Sequence, residues 1–149
     1  MLKSFATLIQ VAQNKTDGAA VKVGQLSARL GESRQKRDLL VNYRDEYRAR
    51  LDQATLRGAP AHEVRNFRAF LAKLDEAVLQ QATEAAFWSD QIDAARTRWQ
   101  SEQRSLNSFN TIAARRDGLA ARVQAKHEQK QQDEFAARAL GSSRFAFGE

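Results

Sequence analysis

The sequence has no cysteine, one proline and seven glycines. Without cysteine the chain can form no disulfide, and no thiol can act as a nucleophile or metal ligand, which fits a reducing cytoplasm. Scarce proline and glycine leave few positions where a helix must stop. No run approaches the roughly 18 apolar residues that a membrane-spanning helix needs. The apolar residues at the start, Phe5, Ile9 and Ala12, recur at helical spacing, and we interpret them as helical turns rather than an export signal.

The usual elements of catalytic sites are also missing. His62 and His127 are far apart in the sequence and lack metal-ligand spacing, and there is no glycine-rich phosphate loop or Gly-x-Ser-x-Gly motif. Carboxylate pairs such as Asp45-Glu46 are adjacent, so on a helix they point about 100° apart and cannot cooperate. We therefore expect no catalytic residue, no metal, no cofactor and no enzymatic activity.

What the sequence does contain is typical of long helices. Apolar residues make up 42% of the chain and charged residues 28%, which is enough apolar content to fold. The only strong helix-breaking cluster is residues 57–60, and Pro60 suits the first turn of a following helix. We predict helix one at about 3–56, helix two at about 61–140, and a flexible tail at 141–149 after Gly141.

Helix two carries an apolar repeat with alternating steps of three and four residues. Fifteen of its eighteen positions are apolar, which is typical of a coiled-coil seam. The positions are Val64, Phe67, Leu71, Leu74, Val78, Gln81, Ala85, Trp88, Ile92, Ala95, Trp99, Glu102, Leu106, Phe109, Ala113, Arg116, Ala120 and Val123.

Helix one carries a matching repeat from Ile9 to Leu30. In the same phase, Ser33, Arg37 and Arg44 are polar, and we interpret them as a phase slip that locally unwinds the coil. Because a short loop makes neighbouring helices antiparallel, the predicted fold is all-α, a long two-helix antiparallel coiled-coil hairpin. Helix one is shorter, so helix two should continue alone from near Arg116.

The charge balance allows two kinds of partner. The net charge is +6, and nine Lys or Arg against five Asp or Glu lie between residues 22 and 57. Such a bias occurs in nucleic-acid-binding proteins, but also on solvated helix faces. Base stacking needs exposed aromatic rings, whereas Phe67, Trp88, Trp99 and Phe109 fall on the seam. We therefore expect protein partners and no nucleic acid, with a basic coiled-coil nucleic-acid-binding protein as the alternative.

Two short stripes, one on each helix, include aromatic residues that lie outside the seam. Phe70 leads one stripe on helix two and Tyr43 lies in the other on helix one, at similar distances from the loop. The stripes predict one exposed aromatic patch, which would mark a binding site. The alternative is that these rings are packing residues. The stripes consist of Leu40, Tyr43 and Tyr47, and of Phe70, Leu74, Ala77 and Gln81.

The order and spacing of several elements resemble the FliJ family. These elements are Leu40-x-x-Tyr43-x-x-Glu46-Tyr47-x-x-x-Leu51, Gly58, Asn66-Phe67-x-x-Phe70-Leu71-x-x-Leu74-Asp75-x-Ala77, Trp99, and Lys130-x-x-Asp133-Glu134-Phe135-Ala136-x-Arg138. FliJ proteins belong to the flagellar type III export apparatus. The resemblance implies an antiparallel coiled coil similar to the stalk of rotary ATP synthases, cytoplasmic and peripheral at the inner face of the cell membrane.

The resemblance also implies partners and sites. It implies contact with the export-gate membrane protein through Lys36, Leu40, Tyr43, Tyr47, Phe70, Leu74, Ala77 and Gln81. It implies insertion into the export ATPase hexamer, for which we expect Ile9, Ala12, Val23, Val123, Lys130 and Phe135, and escort of export chaperones. We expect a monomer, since the seam is satisfied within the hairpin. A stalk protein of a virulence injectisome is the alternative within the same class.

Overall fold

The structure is a computed structural model that describes residues 2–146, with side-chain surroundings for residues 4–142. It contains two helices, α1 (Leu2–Leu56) and α2 (Ala61–Ala146), which pack against each other, and no strand within these residues. This confirms the predicted all-α fold class. Neither helix, over this range, is long and apolar enough to cross a membrane.

The end of α2 differs from the sequence-based expectation. The predicted break at Gly141 is not observed, because α2 continues to Ala146. A single glycine costs a helix only about 1 kcal/mol relative to alanine, and the following Ser142 hydroxyl donates to the Ala139 carbonyl at 3.0 Å. Residues 147–149 of the predicted tail lie outside the described residues.

The turn that closes α1 depends on Gly58. Its φ of 71° lies in the left-handed region, which glycine adopts without steric cost. The Gly58 N–H donates to the Thr55 carbonyl at 3.1 Å, and the Ala59 N–H donates to the Ala54 carbonyl at 3.0 Å. This pair of bonds is the Schellman motif, which satisfies carbonyls that the helix end leaves open.

Pro60 begins α2 from the position just before its first helical residue. Its carbonyl accepts hydrogen bonds from the Glu63 N–H at 3.0 Å and the Val64 N–H at 3.2 Å. Proline has no N–H to leave unpaired here, and the Glu63 carboxylate lies in the first turn, where the helix dipole favours a negative charge. The four residues 57–60 therefore reverse the chain direction.

The chain forms two compact units. Residues Asn14–Gln103, here called the hairpin unit, contain the turn and the adjoining parts of both helices. Met1–Gln13 and Arg104–Glu149 form the other, here called the terminal unit. Each unit combines a segment of α1 with a segment of α2, so each has its own helix-to-helix contact.

The core of the hairpin unit is a single line of seam residues. Its buried apolar side chains come from both helices, at the spacing that the repeats predict. They are Leu26, Ala54, Leu71, Leu74 and Ile92. Ala54, at 0% exposure, lies where α1 is closed by the turn, so the seam continues up to the end of the hairpin.

The phase slip expected in α1 is wrong. Ser33 is only 2% exposed. Leu40, Arg44 and Tyr47, which continue the same alternation of three- and four-residue steps, are half-buried. Only Arg37 departs, being exposed. The seam instead accepts a polar residue, because the Ser33 hydroxyl finds acceptors on Gln81 at 3.2 Å and 3.3 Å. A buried polar group with a partner is tolerated in a core, so the repeat need not shift.

In the terminal unit, the start of α1 packs on the middle of α2. The Phe5 and Phe109 rings meet edge to face at 6.3 Å, and the Arg116 guanidinium lies 5.4 Å from the centre of the Phe5 ring. Ala12 and Leu106 are buried. From Ala114 to Ser142 every side chain of α2 is exposed. This agrees with the expectation that helix two continues without a partner from near Arg116.

Candidate protein-binding surfaces

Three aromatic rings cluster in the hairpin unit close to the turn. Tyr47 lies 4.5 Å from Phe70 and 6.3 Å from Phe67 between ring centres, so α1 and α2 contribute to one cluster. The Arg50 guanidinium lies 5.1 Å from the centre of the Tyr47 ring. Tyr47 and Phe67 are seam residues, and the cluster therefore anchors the edge of the core from which Phe70 projects.

Tyr43 and Phe70 are the exposed aromatic residues of this region. Tyr43 is 54% exposed and Phe70 is 42% exposed. Each directly precedes a seam residue, Arg44 and Leu71 respectively, and in an antiparallel pair such positions flank the same edge of the seam. The two stripes noted in the sequence do meet, at Tyr47 and Phe70. We call the edge around Tyr43, Tyr47 and Phe70 the aromatic edge.

The other residues expected at the export-gate site occupy different environments. Lys36 is exposed, and Leu40 and Ala77 are half-buried. Leu74 is only 8% exposed and belongs to the core, so it supports the aromatic edge from beneath instead of presenting a surface. Gln81 is half-buried and accepts a hydrogen bond from Ser33, which ties it to the seam.

The opposite edge of the hairpin unit near the turn is ionic. Asp75 lies 3.5 Å from Arg44 and 3.8 Å from Arg48, so a carboxylate of α2 joins two guanidinium groups of α1. The Arg44 Nε is buried and makes no hydrogen bond, although the Asp45 carboxylate is 3.7 Å away. These pairs are partly exposed, so each contributes little to stability, but they distinguish this edge chemically from the aromatic edge.

The residues expected at the ATPase ring fall in both units. In the terminal unit, Ile9 is half-buried and Ala12 is 5% exposed, whereas Val123 and Phe135 are 67% and 76% exposed and Lys130 is exposed. Val23 is half-buried in the hairpin unit. The α2 residues of this set are thus available for contact, and Ala12 is not.

Further exposed apolar side chains accompany them on α2 in the terminal unit. Leu119 is 60% exposed and Leu140 is 67% exposed. A shallow open groove is lined by Thr111, Ala114, Arg115, Gly118, Leu119 and Arg122. Single exposed apolar residues are common on proteins, but several along one exposed stretch of α2 provide apolar area for a contact.

One exposed aromatic pair in the hairpin unit is not predicted by the apolar repeats. Phe87, which lies off the seam, is 52% exposed and meets the Trp88 ring edge-on at 5.1 Å. Its position beside a seam tryptophan was the available signal. As for metals, no group of three His, Cys, Asp or Glu residues in the described part of the chain could hold an ion.

Comparison with known proteins gives a consistent assignment. A family model described as "Flagellar FliJ protein" matches residues 1–144. Two curated relatives, the Flagellar FliJ proteins of Salmonella typhi and of Escherichia coli (strain K12), are each 26% identical to this chain over 136 residues. Those matches cover 91% of this chain and 92% of each relative. The chain belongs to the flagellar FliJ protein family.

Proposed function

We propose that this chain is a non-enzymatic component of the flagellar type III protein export apparatus. In this proposal it is a coiled-coil stalk that binds the export ATPase ring and promotes its assembly, contacts the export-gate membrane protein, and escorts export chaperones. The match to the family over residues 1–144 supports the assignment to flagellar export. The grooves described along the two helices are open to solvent, whereas catalysis usually needs a site that excludes water, and this supports a role in binding.

The observation that carries the proposed gate contact is the pair of exposed rings on the aromatic edge. Tyr43 and Phe70 present apolar area to solvent while their backbones are held by helices. Rigid aromatic side chains lose little conformational freedom on binding, and residues of this type often contribute most of the binding energy. Lys36 adds a positive charge at the same edge, where it can orient an approaching partner.

Substitution of the two rings tests the gate contact. We expect Tyr43→Ala and Phe70→Ala to weaken binding to the cytoplasmic part of the gate protein by about tenfold or more, as for a central aromatic contact. Phe87→Ala is the matched control, since Phe87 is 52% exposed, close to the 54% of Tyr43, and lies several turns farther from the loop along α2 than Phe70. Binding is measured by titration calorimetry, and helicity by circular dichroism. Equal losses in all three variants would overturn the assignment.

The proposed ATPase contact uses the exposed end of α2. Val123, Lys130 and Phe135 lie in a stretch in which every described side chain is exposed, so a ring of subunits could cover it without unpacking a core. Ile9 in the terminal unit and Val23 in the hairpin unit belong to the same proposal. Ala12 is better assigned to packing, because it is buried.

Removal of residues 124–149 tests this contact. The truncated chain should stimulate the purified export ATPase less than the full chain does, and should promote fewer hexamers in analytical ultracentrifugation. A narrower variant, Phe135→Ala with Lys130→Ala, keeps the helix and should show part of the loss. Full stimulation by both variants would rule out the assignment.

The cellular setting is part of the same proposal. We propose a cytoplasmic monomer that is peripheral at the inner face of the membrane through its partners. In this proposal the aromatic edge binds the gate protein and the exposed end of α2 binds the ATPase. Sedimentation at micromolar concentration should give a single species at the mass of one chain, 16.8 kDa. A species at twice that mass would contradict the proposed monomer.

A further inference from the structure

A column of basic residues runs along α1 in the hairpin unit. Its members are spaced seven residues apart, which corresponds to a rise of about 10.5 Å along a helix. One tyrosine, Tyr43, interrupts the column close to the turn. All six side chains are exposed. They are Lys15, Lys22, Arg29, Lys36, Tyr43 and Arg50.

The part of this column that lies farthest from the turn lacks partners of opposite charge. No carboxylate of the described residues lies within 4 Å of the charged groups of Lys15, Lys22 or Arg29; the ion pairs of the hairpin unit involve Arg37, Arg44 and Arg48 instead. Three unpaired cations in line give that edge a positive potential, because neighbouring like charges add.

Two adjoining grooves follow the same edge. One, of about 320 Å³, is lined by Lys15, Gly18, Ala19, Lys22, Arg98 and Glu102. The other, of about 500 Å³, is lined by Lys22, Gln25, Leu26, Ala28, Arg29, Glu32 and Trp88. Lys22 lines both grooves, so the two grooves adjoin each other along this edge. At Gly18 a Cβ would meet nothing within 4 Å, and the missing side chain leaves room there.

We propose that the edge from Lys15 to Arg29, here called the basic groove, is a docking surface for an acidic helical segment of a partner protein. The charge of the groove selects an acidic partner. The seven-residue repeat selects a helix, because a helix lying alongside a coiled coil returns the same face to it every seven residues. A carboxylate at every seventh position would meet Lys15, Lys22 and Arg29 in turn.

The floor of the larger groove is apolar, although Leu26 is almost wholly buried and only Trp88 keeps partial exposure. Leu26 and the half-buried Trp88 line the larger groove, and the Arg29 guanidinium lies 5.8 Å from the centre of the Trp88 ring. An amphipathic helix could place apolar side chains against this floor while its acidic residues reach the column. The site would then combine apolar burial with charge pairing, as helix-in-groove recognition does.

Nucleic acid fits the same groove less well. Glu32 and Glu102 line the two grooves and would repel a continuous chain of phosphates, whereas a helix can set neutral residues opposite them. Stacking of bases needs an open ring face. Trp88 has Arg29 over its ring and Phe87 against it, so it offers no open platform.

The basic groove shares no lining residue with the aromatic edge and lies farther from the turn along α1, and this inference does not depend on the proposed gate contact. Its test uses a synthetic helical peptide with Glu at every seventh position and Leu beside it. A second peptide has the same composition in scrambled order. In a Trp99→Phe background, Trp88 is the only tryptophan, and its emission reports occupancy of the groove. We expect saturable binding of the patterned peptide with a shift in that emission.

Charge reversal identifies the groove residues. K15E/K22E/R29E should lower affinity for the patterned peptide by about tenfold or more. R65E/K73E/R96E makes the same change in net charge at exposed residues that do not line the basic groove, and should lower it by less than about threefold. Circular dichroism checks the helicity of each variant. If K15E/K22E/R29E does not fold, K15Q/K22Q/R29Q replaces it.

Three results would overturn the inference. The first is equal affinity for the patterned and scrambled peptides, and the second is equal loss in the two charge-reversal variants. The third is tighter binding of a single-stranded oligonucleotide than of the patterned peptide at physiological salt, which would assign the groove to nucleic acid.

Discussion

The Ser33 hydroxyl lies across the helix interface from Gln81, 3.2 Å from its backbone carbonyl and 3.3 Å from its side-chain oxygen. Ser33 is 2% exposed, so this polar contact occurs within the seam of the hairpin unit. A polar pair at one seam position penalises any shift of one helix along the other, since the hydroxyl would then face apolar side chains. The contact thereby helps to fix which residues of α1 oppose which of α2.

Loss of the Ser33 hydroxyl should destabilise the chain modestly. We expect Ser33→Ala to lower the free energy of unfolding by about 0.5–1.5 kcal/mol, the usual net value of one hydrogen bond. Urea titration followed by circular dichroism measures it. The exposed Ser27 provides the control, because Ser27→Ala changes helix propensity in the same way without touching the seam. A loss no larger than that of the control would mean that the bond contributes nothing.

Glycine-to-alanine substitutions should have opposite signs at two positions. Gly58→Ala should cost about 1 kcal/mol or more, because alanine is strained at a φ of 71°. Gly31→Ala, inside α1 with open space around the added Cβ, should stabilise by up to about 1 kcal/mol. Thermal and urea unfolding give both values. Stabilisation by Gly58→Ala would contradict the turn described above.

Substitutions at Leu74 and Tyr43 should show that Leu74 is a core residue and Tyr43 a surface residue. Leu74→Ala should cost about 2–3 kcal/mol, because Leu74 is 8% exposed and its removal leaves a cavity. Tyr43→Ala should cost less than about 1 kcal/mol, because the ring is mostly in solvent. The comparison uses unfolding curves of the isolated protein. Similar losses would show that Tyr43 is a packing residue, as the alternative interpretation of the sequence holds.

Deletion of residues 124–149 should leave stability nearly unchanged. No side chain from Ala114 to Ser142 is buried, so the described part of the deleted segment contributes no side chain to the core. We expect a change of less than about 1 kcal/mol in the free energy of unfolding. The helical signal should fall in proportion to the residues removed. A drop in melting temperature of more than 10 °C would indicate packing against this segment.

The repeat of apolar residues was sufficient to predict the fold, for a physical reason. A seam of Leu26, Leu71, Leu74 and Ile92 can be buried only against another helix, and the 57–60 cluster is the one strong break. The register followed from counting outward from the turn. Both helices, and the point near Arg116 beyond which the side chains of α2 are exposed, can thus be predicted from the sequence.

Other features depend on contacts that a linear pattern does not encode. From the sequence, Ser33 and Arg44 interrupt the seam, because nothing in α1 indicates that Gln81 and Asp75 of α2 lie close to them. The sequence places Leu74 both on the seam and in the aromatic stripe, and only its 8% exposure in the structure assigns it to the core. The break predicted at Gly141 does not occur, since a glycine followed by serines ends a helix only when a competing turn forms. The basic column was present in the sequence, but its isolation from carboxylates required the structure.

Photo-cross-linking from position 43 tests the central claim, that the aromatic edge of the hairpin unit contacts the export gate. A photoreactive phenylalanine analogue replaces Tyr43 in one variant and the equally exposed Phe87 in another. The account predicts a light-dependent adduct with the gate protein from position 43 and none from position 87. Adducts of equal yield from both positions, or an adduct from position 87 alone, would contradict it.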